Sequence, residues 1–424
     1  MGRTFSVISL GCFRNSYDSE IIIPEFSSQG YSFLPSVSLF INKRNRAKVI
    51  DLLIVNTCGF IDKAKEESLK VISEVVELKK KGRVKKIIVI GCLVKRYRQH
   101  LEKSYPSVDS WQTIVNFSQS FIRRDKLLSS PSVGFLKICE GCLNRCSFCA
   151  IPLIKGSLRS KFKSEVIKEA KDLEKRGVQE LNIIGQDITS WGKDLKTKSD
   201  LASLLKGILK ATKKIPWIRL VYTHPKHFSD SLIDVIAKNE RICKYIDLPI
   251  QHINDRILRL MNRGITKKKI VDLMGKIRKR IPGCVIRSSV IVGFPTESER
   301  EFKELLRFLG DVKFDRLGAF IYSQEEDTQA YKLRPQIHQS TKKRRFKEVM
   351  EQQKRIASEL NKRFFDKELE VLIEARNRDV FVGRSQYDAP SVDGAVFLKK
   401  EGLKIGNFYK ARIIDCLDYD LVGI

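Results

Sequence analysis

Six of the ten cysteines in this chain fall into two groups of three, and thiolates are the ligands of soft metals and iron–sulfur clusters. The compact group reads Cys142-Leu-Asn-Arg-Cys146-Ser-Phe-Cys149, close enough in sequence for one loop to wrap one centre. The dispersed group is Cys12, Cys58 and Cys92. Structural zinc is normally closed by four ligands, whereas a cluster held by three thiolates leaves one iron open to something else. Two such sets point to two open clusters and a redox enzyme. Zinc remains the alternative for the compact group, with Cys139 or His252 as fourth ligand, although zinc sites usually pair two Cys-x2-Cys units or mix in histidine. With five histidines and no persuasive His/Asp or Ser/His constellation, no side chain is assigned as a catalytic acid or base.

The elements that must position these groups follow from the apolar runs. Phe5-Ser-Val-Ile-Ser-Leu10 leads to Gly11-Cys12, Asp51-Leu-Leu-Ile-Val-Asn56-Thr57 to Cys58, and Lys86-Ile-Ile-Val-Ile90 to Gly91-Cys92. Short apolar runs alternating with helical stretches such as 62–80 predict buried parallel strands of an open α/β sheet. Ligands in such sheets bind beyond the carboxyl ends of strands, where all three cysteines converge. A lone cysteine at a strand end is most often a small buried hydrophobe, but the arrangement occurs three times here. For Cys139, Cys243, Cys284 and Cys416 that packing role is the expectation.

Further along, strands at 136–138, 181–184, 218–222, 245–248, 285–292 and 317–322 alternate with helices such as 164–176, 230–237, 267–280 and 297–309. This order predicts a partial six-stranded (β/α) barrel whose active face, at the strand carboxyl ends, carries Gln186, Asp187, Gln251, His252 and Gly293. Five short strands at 369–374, 380–384, 395–398, 408–415 and 420–424 predict a small antiparallel barrel. The fold class is therefore α/β with three units, 1–125, 126–362 and 363–424. A linker at 118–134 and a basic helix at 342–362 separate them, and the basic run Lys43-Arg-Asn-Arg46 marks an extra loop in the first.

Composition bounds the partners. A chain of 424 residues, 42% hydrophobic without a long apolar run, predicts no membrane span. The net charge of +30 favours nucleic acid or a ribonucleoprotein, although lysine-rich helices also arise as solvated faces. Residues 365–424 depart from this trend with eleven acids against nine bases, which suits a basic protein better than a phosphate backbone; Asp388 and Asp393 are candidate docking groups. No secretory signal core precedes the first strand, and the cysteines show no disulfide framework, so a reducing cytoplasmic compartment is expected.

The compact motif, with Phe148 before its last cysteine, resembles the radical S-adenosylmethionine superfamily. Ser9-Leu-Gly-Cys-Phe-Arg-Asn15, Asn56-Thr-Cys-Gly-Phe-Ile61 and Gly91-Cys-Leu93 with Arg96-Tyr97 resemble the amino-terminal domain of the methylthiotransferases. Tyr245-Ile-Asp-Leu-Pro-Ile-Gln-His252, Phe320-Ile-Tyr-Ser323, Gly383-Arg-Ser385, Asp388-Ala-Pro390, Asp393-Gly394 and Tyr419-Asp-Leu-Val-Gly423 resemble the RimO-type branch, and the terminal barrel resembles a TRAM domain. Two positions depart: Thr296 stands where the family usually has glycine, and Tyr222-Thr-His-Pro225 is closer to the tRNA-modifying branch.

The resemblance implies two 4Fe-4S clusters on the six cysteines, with S-adenosyl-L-methionine chelated at the open iron of the compact set. Phe148, Arg159, Gln186, Gln251, Arg287 and Gly293 are the implied cofactor contacts. It further implies hydrogen abstraction from the β-carbon of an aspartate in the twelfth protein of the small ribosomal subunit, and methylthio delivery from the dispersed set. An external electron donor, a sulfur source, a monomeric state and no membrane partner complete the expectation. The alternatives are a tRNA adenosine methylthiotransferase and a non-catalytic metal-bearing RNA-binding protein.

Overall fold

The three apolar runs that end in cysteine become neighbouring parallel strands. In the computed structural model, which describes residues 2–35, 49–113, 118, 121, 124, 127–128, 130–197 and 199–424, the first sheet is built from β1 (Arg3–Ser9), β2 (Tyr31–Phe33), β3 (Ile50–Thr57), β4 (Val84–Gly91) and β5 (Ser110–Gln112). Its order is β2-β1-β3-β4-β5, with every pairing parallel. Helices Phe13–Ser28, Asp62–Lys80 and Cys92–Ser104 make the crossovers that parallel strands require. Helix Asp62–Lys80 opens on an acid and closes on Lys79 and Lys80, in agreement with the helix dipole. The basic run Lys43-Arg-Asn-Arg46 and much of the expected linker lie outside the described residues.

Next come β6 (Val133–Lys137), a short hairpin of β7 (Cys139–Glu140) and β8 (Arg159–Ser160), then β9 (Glu180–Ile184), β10 (Trp217–Leu220), β11 (Tyr245–Asp247), β12 (Val285–Val292) and β13 (Arg316–Ile321). Two parallel sheets, β10-β9-β6 and β11-β12-β13, are linked by a parallel bridge from Ile218 to Ile242, which makes the six-stranded partial barrel. Alternate side chains divide the strands between two cores, as strand geometry requires. Leu181, Ile183, Ile218, Leu220, Ile246 and Ile286 pack with the surrounding helices. Phe135, Ile184, Trp217, Tyr245 and Val285 instead share a core with the carboxyl-terminal barrel.

That barrel closes as β14-β15-β16-β18-β17, from β14 (Glu368–Asn377), β15 (Val380–Ser385), β16 (Val396–Leu398), β17 (Phe408–Cys416) and β18 (Leu421–Gly423). Its antiparallel description needs one correction, since β16 and β18 run parallel. An odd number of strands in a closed ring cannot alternate direction throughout, so one parallel pair is required. Among the described residues no helix is long and apolar enough to cross a membrane.

The reading of Asp388 and Asp393 as docking groups is also corrected. Arg316 bonds Asp388, while Arg287 and the Tyr245 hydroxyl reach Asp393 at 3.2 and 2.6 Å, so both acids fasten the small barrel to the large one. Arg384 pairs across the same seam with Glu180. The acid surplus therefore lies largely inside; on the exposed face of residues 365–424 eight bases stand against six acids.

Candidate functional site

The carboxyl ends of β1, β3 and β4 bring the dispersed cysteines together. Cys12 caps helix Phe13–Ser28, Cys58 directly follows β3, and Cys92 opens helix Cys92–Ser104. Glycine permits the approach: a Cβ on Gly11 would lie 2.7 Å from the Cβ of Cys58, and one on Gly59 would lie 3.2 Å from the carbonyl carbon of Cys92. Asn15 ties the strand ends by donating to Leu10 O at 2.8 Å and Thr57 O at 3.1 Å, and Ser68 Oγ accepts from Cys58 N at 3.0 Å. Burial opposes ionisation of all three thiols. At Cys12 the Arg14 charge and its N–H···S bond prevail and hold the thiol below its usual value. Burial pushes Cys58 up and takes Cys92 to about 12.

The compact group is held by its loop. Cys142 N bonds Gly156 O at 3.2 Å, Cys149 N bonds Cys146 O at 3.1 Å, and Ser147 anchors the turn to Met261 O and Leu260 O. Arg263 Nη1 reaches Cys146 Sγ at 3.3 Å and Asn144 Nδ2 reaches Cys142 Sγ at 3.6 Å. Burial, with Cys146 and Cys142 beside it, pushes Cys149 up to about 12. Neither proposed fourth zinc ligand is free: Cys139 is wholly buried with its thiol toward Asp187 O, and His252 uses its ring nitrogens on Glu297 and Asn254. Among the described residues no three His, Cys, Asp or Glu side chains are gathered to hold a single ion. Three thiols, two of them with side-chain N–H donors on their sulfurs, fit an anionic cluster, whose potential such donors tune.

At the barrel mouth the predicted contacts separate. Both side-chain polar atoms of Gln186 lack a partner among the described residues, as do those of Asn182 deeper in the barrel, so this mouth has polar capacity for a ligand. Gln251 takes a left-handed φ of 69° while its backbone bonds Ser289 O and Ile291 N. Gly293, with φ of 71°, donates its N–H to the Glu297 carboxylate. Phe148 packs beside Met261, Phe294 and Tyr322. Arg159 is exposed on β8, and Arg287 lies in the seam, bonded to Asp247 at 3.1 Å and to Asp393.

Several groups around the site escaped the sequence reading. Asn144 spans from Asp187 Oδ2, at 2.7 Å, to His227 Nε2, at 3.0 Å. Asp187 also accepts from Thr189 N and Ser190 Oγ, so the cysteine loop is pinned to the end of β9. Between the two cysteine groups Lys137 and Lys155 alternate with Asp18 and Glu140, four buried charges that lock helix Phe13–Ser28 onto the core. Lysines in an abundantly basic chain carry no signal that they will be buried and paired. Arg14 and Tyr222 carried a faint one, since both lie in quoted motifs.

Three family descriptions match the chain: Uncharacterized protein family UPF0004 over residues 4–113, Radical SAM superfamily over 136–309 and TRAM domain over 367–424. The chain is 40% identical over 446 residues to the ribosomal protein uS12 methylthiotransferase RimO of Thermoanaerobacter sp. (strain X514), covering 99% of each chain. It is 41% identical over 430 residues to that of Aquifex aeolicus (strain VF5), covering 98% of this chain and 96% of that one. Among solved structures, the radical S-adenosylmethionine methyltransferase TsrM from Kitasatospora setae, with cobalamin and a [4Fe-4S] cluster bound, aligns with a TM-score of 0.53 at 13% identity. The alignment covers 76% of this chain and 75% of that one, and it shows a shared fold.

Proposed function

The chain belongs to the ribosomal protein uS12 methylthiotransferase RimO family of radical S-adenosylmethionine enzymes, and from that premise we propose that it adds a methylthio group to the β-carbon of an aspartate in the twelfth protein of the small ribosomal subunit. The observation that carries this reading is the full-length identity near 40%, joined to two cysteine triplets, one at the carboxyl ends of β1, β3 and β4 and one on the loop after β7. Cys142, Cys146 and Cys149 would hold one 4Fe-4S cluster, and Cys12, Cys58 and Cys92 the other. When bound, the clusters supply the electron that cleaves S-adenosylmethionine and an open iron that presents sulfur.

The chain's own residues prepare those places. Arg263, Asn144 and Arg14 direct N–H groups at cysteine sulfurs and offset their negative charge. The amino termini of helices Phe13–Ser28 and Cys92–Ser104 add positive dipole ends at Cys12 and Cys92. Gln186 supplies side-chain polar atoms for the adenosylmethionine, Gln251 and Gly293 shape the mouth around it through their left-handed backbone, and Phe148, Phe294 and Tyr322 make the apolar wall that keeps water from a reactive carbon radical. Arg159 and Arg287 have weaker claims, one being exposed and the other paired. The three functional units are 1–125, 126–362 and 363–424. A cytoplasmic monomer fed by an external electron donor and sulfur source completes the reading.

The test is an anaerobic assay of the reconstituted protein with adenosylmethionine and dithionite, offering the purified small-subunit protein and, separately, tRNA. Mass spectrometry should find the methylthio group on one aspartate of the protein. Modification of tRNA adenosine, with the protein untouched, would overturn the assignment; the basic outer face of the small barrel makes that arm necessary.

A further inference from the structure

Arg14 leaves the dispersed cysteine group and reaches the barrel. Its Nε donates to Cys12 Sγ at 3.3 Å, its guanidinium carbon stands 4.6 Å from the centre of the Tyr222 ring, and Nη1 lies 3.5 Å from Gly185 O, at the end of β9. Arg14 therefore bridges from the Cys12 thiol to the end of β9, where Asp187 holds the loop of the compact group through Asn144.

The platform beneath it supplies a second, independent observation. Tyr222 has φ of 67°, a left-handed conformation that bulky residues rarely adopt. It is held there from both sides, its N–H bonding Asp247 Oδ2 at 2.7 Å and its carbonyl accepting from Ile188 N at 3.0 Å. Backbone strain persists where surrounding structure over-determines it, and it gathers at functional sites. The result of this strain is a ring face presented to Arg14. A mere tie between the first domain and the core does not require it, because Asp18, Lys137, Lys155 and Glu140 already fasten the same helix.

The geometry points to Arg14 as a positioning residue between the two metal centres, stacked on Tyr222, whose fixed charge raises the reduction potential of the centre held by Cys12, Cys58 and Cys92. This rests on the two-cluster reading above. Reduction adds negative charge to a cluster, and a cation bonded to a ligand sulfur favours the reduced form. The planar guanidinium stacks and donates at once, which a lysine ammonium does not reproduce.

The test uses the full chain with Cys142, Cys146 and Cys149 replaced by alanine, so that only the dispersed centre is loaded. Iron content and an electron-paramagnetic-resonance redox titration are compared for this parent and for added Arg14→Gln, Arg14→Lys and Tyr222→Leu. Arg14→Gln should keep its iron while the reduced-to-oxidised ratio at fixed potential falls about tenfold, which for one electron is about 59 mV. Arg14→Lys should shift less, and Tyr222→Leu should shift in the same direction as Arg14→Gln. An unmoved midpoint in iron-replete Arg14→Gln would overturn this inference alone. Loss of iron from both Arg14 variants would also overturn it, by showing a structural role. A parent that binds no iron would bring down the two-cluster reading and this inference together.

Discussion

Asp388 and Arg316 meet in the buried seam between the two barrels, with Nε and Nη2 of the arginine 2.9 and 2.8 Å from Oδ1 of the aspartate. Burial holds the carboxyl above its ordinary value, and Arg316 opposes this by favouring the charged form. Two guanidinium donors on one oxygen and the Ser385 hydroxyl on the other are the partners of a charged carboxylate, so the pair is ionic. Removing one partner of a buried pair leaves an uncompensated charge, at a cost of about 3–5 kcal/mol.

Asp388→Ala should therefore loosen the small barrel from the core. Limited proteolysis should release a fragment beginning near the end of helix Gln339–Asn361, and urea unfolding should lose cooperativity. Replacing both partners by apolar residues of similar volume should recover most of the loss. Equal protease resistance of Asp388→Ala and the unmodified chain would show that the pair does not hold the seam.

Thr296 is a β-branched residue at φ of 67°. Its N–H bonds Pro335 O at 3.0 Å, and Arg256 engages its carbonyl and hydroxyl, so the conformation is fixed by its neighbours. Glycine adopts this region freely. Thr296→Gly should stabilise the chain by about 1 kcal/mol, the relief of strain exceeding the exposed Arg256 hydroxyl bond that is lost. A lower urea midpoint for the glycine variant would refute this.

Much of this architecture was readable because its signals are local. The run 285–292 forms β12 as expected, and the helices at 62–80 and 267–280 appear at their expected bounds, since apolar periodicity is strong there. β6 begins at Val133 instead of 136 because its first residue pairs with Glu180, a long-range partner that no local window reveals. The cysteine groups were legible from spacing and from strand ends. Their surroundings were not, because Arg14 finds its sulfur from the first turn of a helix, and Asn144 and Arg263 find theirs through loop geometry. The small barrel's acids misled for the same reason: composition counts charges but does not say which ones face an arginine across a seam.

Gly91 occupies the bend between β4 and Cys92 with φ of 110°, and a Cβ there would lie 2.7 Å from both Thr57 N and Asn56 Oδ1. Gly91→Ala must push β4 away from β3 at the level of the cysteines. The compact group is held by its own loop after β7, through Gly156, Met261 and Leu260, and should keep its ligands. Reconstituted Gly91→Ala should thus bind about four iron atoms instead of about eight, by cluster stoichiometry, while still cleaving adenosylmethionine. Full iron loading would mean that the dispersed site tolerates the displacement, and the close packing would lose its assigned role.

The two cysteine groups should separate by function. Cys146 receives an N–H from Arg263 within the loop after β6 and β7, where adenosylmethionine must chelate. Cys146→Ala should therefore abolish 5′-deoxyadenosine and methylthiolated product together. Cys58 lies at the end of β3, against Gly11, in the proposed sulfur-presenting group. Cys58→Ala should leave radical formation intact and stop only methylthio transfer, because cleavage needs an electron and an open iron beside the sulfonium, whereas transfer needs sulfur placed at the substrate carbon. Parallel anaerobic measurements of deoxyadenosine and modified protein decide the matter. Near-normal product from Cys58→Ala would make the dispersed triplet structural and would leave Arg14 with no second centre to tune.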